Sequence, residues 1–260
     1  MDTFFNYSKA IARLPSRDVC NGLRTVDSGN PSYEIVKAEH AAYVEALIRE
    51  GVDVEVLDPL LGFPDALFVE DPAIVFSDAA IVLRSSMPER RGESETLARA
   101  LDIKFCNTLY LEHGFVDGGD ILQLPDAVII GLSQRTNREG AEALGAILKR
   151  LDKKSFICDS PKEVLHLKSD CSLIDFETIL VTERLANEEI FKGLNKILVP
   201  LTELSAANAI RIKSKIFIGE QFSETIQILE KLQYVLVPLP TTEISKIDGG
   251  LSCMSLRWRG

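Results

Sequence analysis

The feature that most constrains this chain is a weak internal repeat of roughly 50 residues, the range of periods in which repeat architectures arise. Residues 73 to 84, AIVFSDAAIVLR, read as two short apolar strands around a turn at Ser77-Asp78. Residues 120 to 131, DILQLPDAVIIG, repeat that shape with Pro125-Asp126 in the turn. Residues 171 to 182 and 207 to 219 carry it twice more. After each hairpin, apolar residues at three- and four-residue spacing predict helices over 92 to 101, 137 to 151, 187 to 196 and 222 to 233. Asn137, Asn187 and Ser223 are placed to cap the last three of these, each with a Glu within three residues. A third strand then closes each unit, as at 103 to 111 and 234 to 238.

A fifth unit is split between the two ends of the chain. Its first strand is expected at 251 to 258, its second at 9 to 14, its helix at 33 to 50 with Gly51 as the stop, and its third strand at 52 to 57. Pairing the last strand with the first closes a ring. The expected fold is therefore α/β, a five-bladed propeller of five β-β-α-β repeats with pseudo-fivefold symmetry. No blade can bury its apolar face alone, so a single catalytic domain over residues 1 to 260 is expected, with a doubly wound sheet as the alternative.

Charge narrows the partners. Twenty-nine Lys and Arg against 39 Asp and Glu give a formal charge of −10, without a basic, aromatic-rich run, which argues against nucleic acid and anionic membranes. The N-terminal segment has no signal-peptide pattern and no stretch approaches a membrane span, so a cytoplasmic protein is expected. Five cysteines without C-x-x-C spacing argue against a disulfide framework and leave at least one free thiol. A homodimer is left open as the assembly.

In a ring of equivalent units, the residues just before each first strand meet at one end of the axis. Those positions are Glu70-Asp71, Asp117-Gly118-Gly119-Asp120, His166 with Lys168, Asn208, and Asp248-Gly249-Gly250 leading to Cys253. The Asp-Gly-Gly at 117 and again at 248 marks places of close backbone approach. A thiol, an imidazole and a carboxylate are the minimum apparatus of nucleophilic catalysis, which Cys253, His166 and Asp117 supply. Cys20, Cys106, Cys158 and Cys171 sit in or beside apolar runs and read as small core residues. His40 reads as half-buried within a helix and His113 as a loop residue. A zinc site of histidine, cysteine and carboxylate is an alternative, although close ligand spacing is lacking.

Taken together, FPDALFVEDP at 63 to 72, RRGE at 90 to 93, DGGDIL at 117 to 122, SQRTNREG at 133 to 140, LHLK at 165 to 168 and KIDGGLSCMSLR at 246 to 257 resemble the dimethylarginine dimethylaminohydrolases of the guanidino-group-modifying (pentein) superfamily. The resemblance covers residues 12 to 257 and implies the five-bladed α/β propeller. It implies Cys253 as nucleophile, His166 as general acid and base, and Asp117 as the carboxylate that orients His166. Asp71 would hold the guanidinium, with Asp65 and Glu70 at the same end. Arg90 and Arg135 would clamp the α-carboxylate of the substrate, and the α-amine would meet the carbonyls of Leu23 and Ile247 near Asp248.

The implied activity is hydrolysis of a small-molecule substrate, Nω-methylated arginine, to citrulline and a methylamine through a covalent thiouronium, with neither cofactor nor metal. Arginine deiminases, of the same superfamily, carry an aspartate two residues after the histidine. Here that place is Lys168, which favours methylated over unmethylated nitrogens. An arginine deiminase or citrulline-hydrolysing relative, and a non-catalytic pentein binding module, are the competing readings.

Overall fold

The computed structural model describes residues 3 to 260. In chain order its elements are β1 (Lys9–Arg13), α1 (Tyr33–Arg49), β2 (Asp53–Leu57), β3 (Ala73–Val75), β4 (Ala80–Val82), α2 (Arg91–Lys104), β5 (Thr108–Tyr110), β6 (Ile121–Gln123), β7 (Val128–Leu132), α3 (Arg138–Arg150), β8 (Ser155–Asp159), β9 (Cys171–Asp175), β10 (Thr178–Val181), α4 (Glu183–Ala186), β11 (Asn195–Leu198), β12 (Ile210–Ile212), β13 (Lys215–Gly219), α5 (Ser223–Lys231), β14 (Val235–Leu239) and β15 (Leu256–Trp258). They form an α/β protein with five three-stranded sheets.

Each sheet is built the same way: a first strand antiparallel to the second, and a second parallel to the third. The orders are β3-β4-β5, β6-β7-β8, β9-β10-β11, β12-β13-β14 and β15-β1-β2. The predicted pairing of the two chain ends is present, Lys9 opposite Trp258 and Ile11 opposite Leu256. Apolar runs place the first two strands of a sheet inside: β3 and β4 are buried at every position. Third strands are edges, as the largely exposed β2 and β11 show.

The chain divides into two compact units, residues 1 to 70 with 208 to 260, and residues 71 to 207. The first holds β15-β1-β2 and β12-β13-β14 around a core that includes Tyr43, Leu47, Phe217 and Met254. The second holds the other three sheets. One of its cores packs Ile81, Ile130 and Leu144, another Ile179, Val181 and Phe191.

Several local expectations change. The helix expected over 187 to 196 is replaced by the single turn α4 and a 3-10 turn at Glu189–Phe191, and Asn187 ends a helix instead of starting one. Only thirteen residues, 182 to 194, join β10 to β11, and Gly193 breaks the run at φ 95°. Phe191 is nonetheless buried in the core with Ile179, Val181 and Leu185. The strand expected from 103 shrinks to β5 because α2 runs on to Lys104, leaving Ile103 86% exposed. Ser223 opens α5 without acting as its cap, a position held by Phe222. Asn137 caps α3 as expected, its Oδ1 accepting from Gly140 N at 2.9 Å. Gly51, at φ 75°, ends α1: its N–H donates to Ile48 O, and Val52 N–H donates to Leu47 O, the paired bonds that close a helix on a left-handed residue.

Candidate active site

Three first-strand approaches in the unit of residues 71 to 207 bring Asp71, Asp117 and His166 together. Asp71 precedes β3, and its carbonyl accepts from Gly118 N at 2.9 Å. Asp117 precedes β6, held by its N–H to Thr136 Oγ1 at 3.1 Å. His166 precedes β9, with Nε2 3.5 Å from Asp117 Oδ2. A Cβ on Gly119 would lie 2.7 Å from His166 Nδ1, so the first Asp-Gly-Gly is what lets the imidazole reach the carboxylate. Asp120, the last residue of that motif, accepts from Ser133 Oγ and Thr136 Oγ1, both at 2.6 Å, and from Leu167 N at 3.0 Å. It ties the 133–136 loop to the residue after His166. Sequence reasoning assigned Asp120 no role, though the repeated Asp of DGGD was in view.

Arg90 is buried beside them. Its Nη1 donates to Asp71 Oδ2 at 2.6 Å and its Nη2 to Glu93 Oε2 at 2.7 Å, with Nε on the same Glu93 carboxylate at 3.0 Å. The i,i+3 spacing of Arg90 and Glu93 was readable; the link to Asp71 was not. Arg135 is half-buried, and its guanidinium has no hydrogen-bond or ion-pair partner among the described residues.

These groups polarise one another. Burial and the like charge of Asp117 push Asp71 up to about 8, against the pull of Arg90 and His166. Burial works against charge on Asp117 too, but His166 and Arg90 hold its carboxyl well below the usual range. For His166, burial opposes the imidazolium, yet Asp117, Asp120 and Asp71 raise it to about 9. The set therefore presents a protonated imidazole against an ionised carboxylate, an acid that can lend a proton at neutral pH. Asp71 Oδ1, Asp117 Oδ2 and His166 Nε2 are all buried without a hydrogen bond among the described residues.

The other unit, residues 1 to 70 with 208 to 260, carries the thiol. Cys253 was expected on a strand; it stands instead in the 3-10 turn Ser252–Met254, because β15 begins only at Leu256. Its side chain is half-buried, and its carbonyl accepts from Glu70 N at 3.1 Å. Glu70 Oε2 takes the Ser252 hydroxyl at 2.8 Å, and Arg257 Nη1 reaches Ser252 O at 3.1 Å. Ser252 and Arg257 hold the turn that carries Cys253, a role that sequence reasoning did not assign. In the same unit, Leu23 N donates to Asp65 Oδ1 at 3.1 Å, and Thr25 N to Asp248 Oδ2 at 2.6 Å. Asp248 is left-handed at φ 55°, and a Cβ on Gly22 would touch both Asp65 and Ile247 at 3.0 and 3.1 Å. Leu23, Asp65, Ile247 and Asp248 thus meet around one loop.

Of the remaining cysteines, only Cys171 is a fully buried core residue; Cys106 is exposed, and Cys20 and Cys158 are half-buried. Burial pushes the Cys171 thiol up, and burial with nearby acids raises Cys158 to about 11, which disfavours both as thiolates. His40 is fully buried, not half-buried, and burial lowers it to about 4.

A sequence model described as arginine deiminase matches residues 56 to 198. A dimethylarginine dimethylaminohydrolase of Pseudomonas aeruginosa is 34% identical over 97% of this chain and 100% of its own length. One of Streptomyces coelicolor is 29% identical over 96% of this chain and 97% of its own. A solved structure of the Pseudomonas enzyme, a Cys-to-Ser mutant complexed with citrulline, superposes with a TM-score of 0.94 at 34% identity over 97% of this chain and 100% of that one. The N-terminal domain of a cyanobacterial arginine dihydrolase shares the fold at a TM-score of 0.85 and 20% identity, covering 96% of each chain. The chain belongs to the dimethylarginine dimethylaminohydrolase family, within the pentein superfamily.

Proposed function

We propose that the protein hydrolyses Nω-methylated arginine to L-citrulline and methylamine or dimethylamine, with Cys253 as nucleophile. Asp71 is the observation that carries this reading: a buried acid, raised to about 8, with Arg90 on one oxygen and no hydrogen-bond partner among the described residues on the other, which a bound cation would bring to its ionised form. A guanidinium supplies both the N–H and the charge such an oxygen lacks. The named relatives, and the citrulline bound to one of them, support the same substrate class.

The Cys253 thiolate forms a bond to the guanidinium carbon. The His166 proton then passes to the departing methylamine as its C–N bond breaks, leaving a thiouronium. Neutral His166 takes a proton from water, the hydroxide adds to the same carbon, and the C–S pair returns to Cys253, leaving the ureido group. Asp117 orients His166 and holds it charged. Arg135, unclaimed by any carboxylate among the described residues, and Arg90, fixed by Asp71 and Glu93, take the substrate α-carboxylate. The carbonyls of Leu23 and Ile247, with Asp248, take the α-amine, while Asp65 and Glu70 flank the guanidinium end. Lys168, where deiminases carry an acid, supports methylated over unmethylated arginine.

We further infer a five-bladed α/β propeller acting as one catalytic domain, supported by the strand pattern repeated in all five sheets and the pairing of β15 with β1. Five free cysteines support a cytoplasmic location. Purified protein assayed for citrulline should form it from mono- and dimethylarginine. Faster release of ammonia from arginine would make it a deiminase, and consumption of citrulline would make it a citrulline hydrolase.

A further inference from the structure

Asn208 stands just before β12, the place in its repeat that Asp117 and His166 hold in theirs. The orientation of its amide is set by its neighbours. Ser252 N–H donates to Oδ1 at 3.0 Å, so the oxygen faces the backbone of the thiol-bearing turn. Nδ2 then has two hydrogens to place. Ser252 Oγ lies 3.1 Å from it and Cys253 Sγ 4.0 Å from it, the outer edge of an N–H···S contact.

Ser252 Oγ is itself 3.9 Å from the sulfur, but its one hydrogen goes to Glu70 Oε2 at 2.8 Å, leaving only a lone pair to face Asn208. Of these two neighbours, only Asn208 has a hydrogen to give. Of the charged groups in the same unit, Glu70 takes the Ser252 hydroxyl and Arg257 donates to the Ser252 carbonyl, to Ser255 and to Glu70. Gly250 makes room for the amide: a Cβ there would sit 2.4 Å from Asn208 Cγ and Oδ1. The second Asp-Gly-Gly thus clears space for a donor beside the thiol, as the first clears space for an imidazole beside a carboxylate.

We propose that Asn208 is a further catalytic residue, donating from Nδ2 to the Cys253 thiolate and so stabilising it both before attack and as the leaving group when the thiouronium is hydrolysed. The proposal rests on Cys253 as nucleophile. A donor to an anion lowers the pKa of that group, and losing one that shifts it by one unit leaves about tenfold less thiolate at neutral pH.

The test follows iodoacetamide alkylation of Cys253 by mass spectrometry from pH 6 to 10 in wild type, Asn208→Leu and Ser252→Ala, with thermal melting as the check on folding. Leu matches the size of Asn and offers no hydrogen. In Asn208→Leu the alkylation midpoint should rise by about one pH unit, the neutral-pH rate should fall about tenfold, and kcat should fall with a smaller change in KM. Ser252→Ala removes the hydroxyl that Nδ2 contacts but keeps the Ser252 N–H bond to Oδ1 and leaves Nδ2 beside the sulfur, so its midpoint should stay with wild type. Equal shifts in the two variants would mean that the Ser252 hydroxyl network, not the Nδ2 donor, sets the thiol, and the proposal would be overturned. An unshifted profile in folded Asn208→Leu would overturn it too. Should that variant not fold, Asn208→Ala, which likewise offers no hydrogen, is subject to the same criterion. Alkylation reads the thiol without turnover, whereas wild-type turnover in Cys253→Ser would remove the nucleophile role itself, so the two failures are told apart.

Discussion

Asp71, Asp117, His166 and Arg90 form a buried set of two acids and two cations in which each pKa depends on its neighbours. Replacing Asp117 by Asn removes the anion that keeps His166 charged, so burial wins and the imidazole pKa drops below the folded value of about 9. The alkaline limb of the kcat profile should move to lower pH in Asp117→Asn; an unmoved limb would mean that another group titrates there. Cys253→Ser should keep its melting temperature and lose turnover by on the order of a thousandfold or more in a citrulline assay, since a hydroxyl is a far weaker nucleophile than a thiolate. Stability carries the same signature. His166 is raised from 6.5 to about 9 on folding and Asp71 from 3.8 to about 8, so both groups stabilise the fold less as pH rises. Scanning calorimetry should show melting temperature falling between pH 6.5 and 9, and falling less in Asp71→Asn. The proximity of Asp117 and His166 was legible in the sequence because their chemistry and repeat position coincide. The partners of Arg90, Ser252 and Asn208 were not, because a hydrogen bond across 19 or 44 residues leaves no periodic trace.

At the level of elements, hairpins and the ends of α1 and α3 could be read because their signals are local: two apolar runs around a turn, Gly51 past a helix, Asn137 before one. The missing helix of the third repeat could not, because apolar spacing at Ile190, Phe191 and Leu194 says which residues are buried, not whether thirteen residues leave room for a helix. A sharper element-level prediction concerns the start of α3. Asn137 Oδ1 accepts from both Gly140 N and Phe115 N, and a Cβ on Gly140 would lie 2.3 Å from Phe115 O. The first turn of α3 therefore packs backbone to backbone against the 114–115 turn. Gly140→Ala should cost about 2–3 kcal/mol of unfolding free energy and Asn137→Ala about 1–2 kcal/mol, read by urea denaturation at unchanged m-value. A neutral Gly140→Ala would mean that the turn yields easily.

For the whole molecule, the repeat read from sequence sets the five sheets, but the division into one contiguous and one discontinuous unit comes from which contacts are long-range, a property no local pattern records. The central strand β1 bridges the discontinuity: Lys9 through Ile11 pair in parallel with Asp53 through Glu55 and antiparallel with Leu256 through Trp258. On the ribosome, residues 71 to 207 emerge with all their sheet partners, whereas the β15-β1-β2 sheet is complete only once β15 has also emerged. Pulse proteolysis of nascent chains should find residues 71 to 207 protected first and β1 fully protected only after β15 has emerged. Early protection of β1 would contradict this order. Because Cys253 lies just before β15, a chain cut short ahead of that segment has the imidazole and its acids but lacks the Cys253 thiol, so the β15-β1-β2 sheet and this thiol are added together, after residues 71 to 207 have emerged.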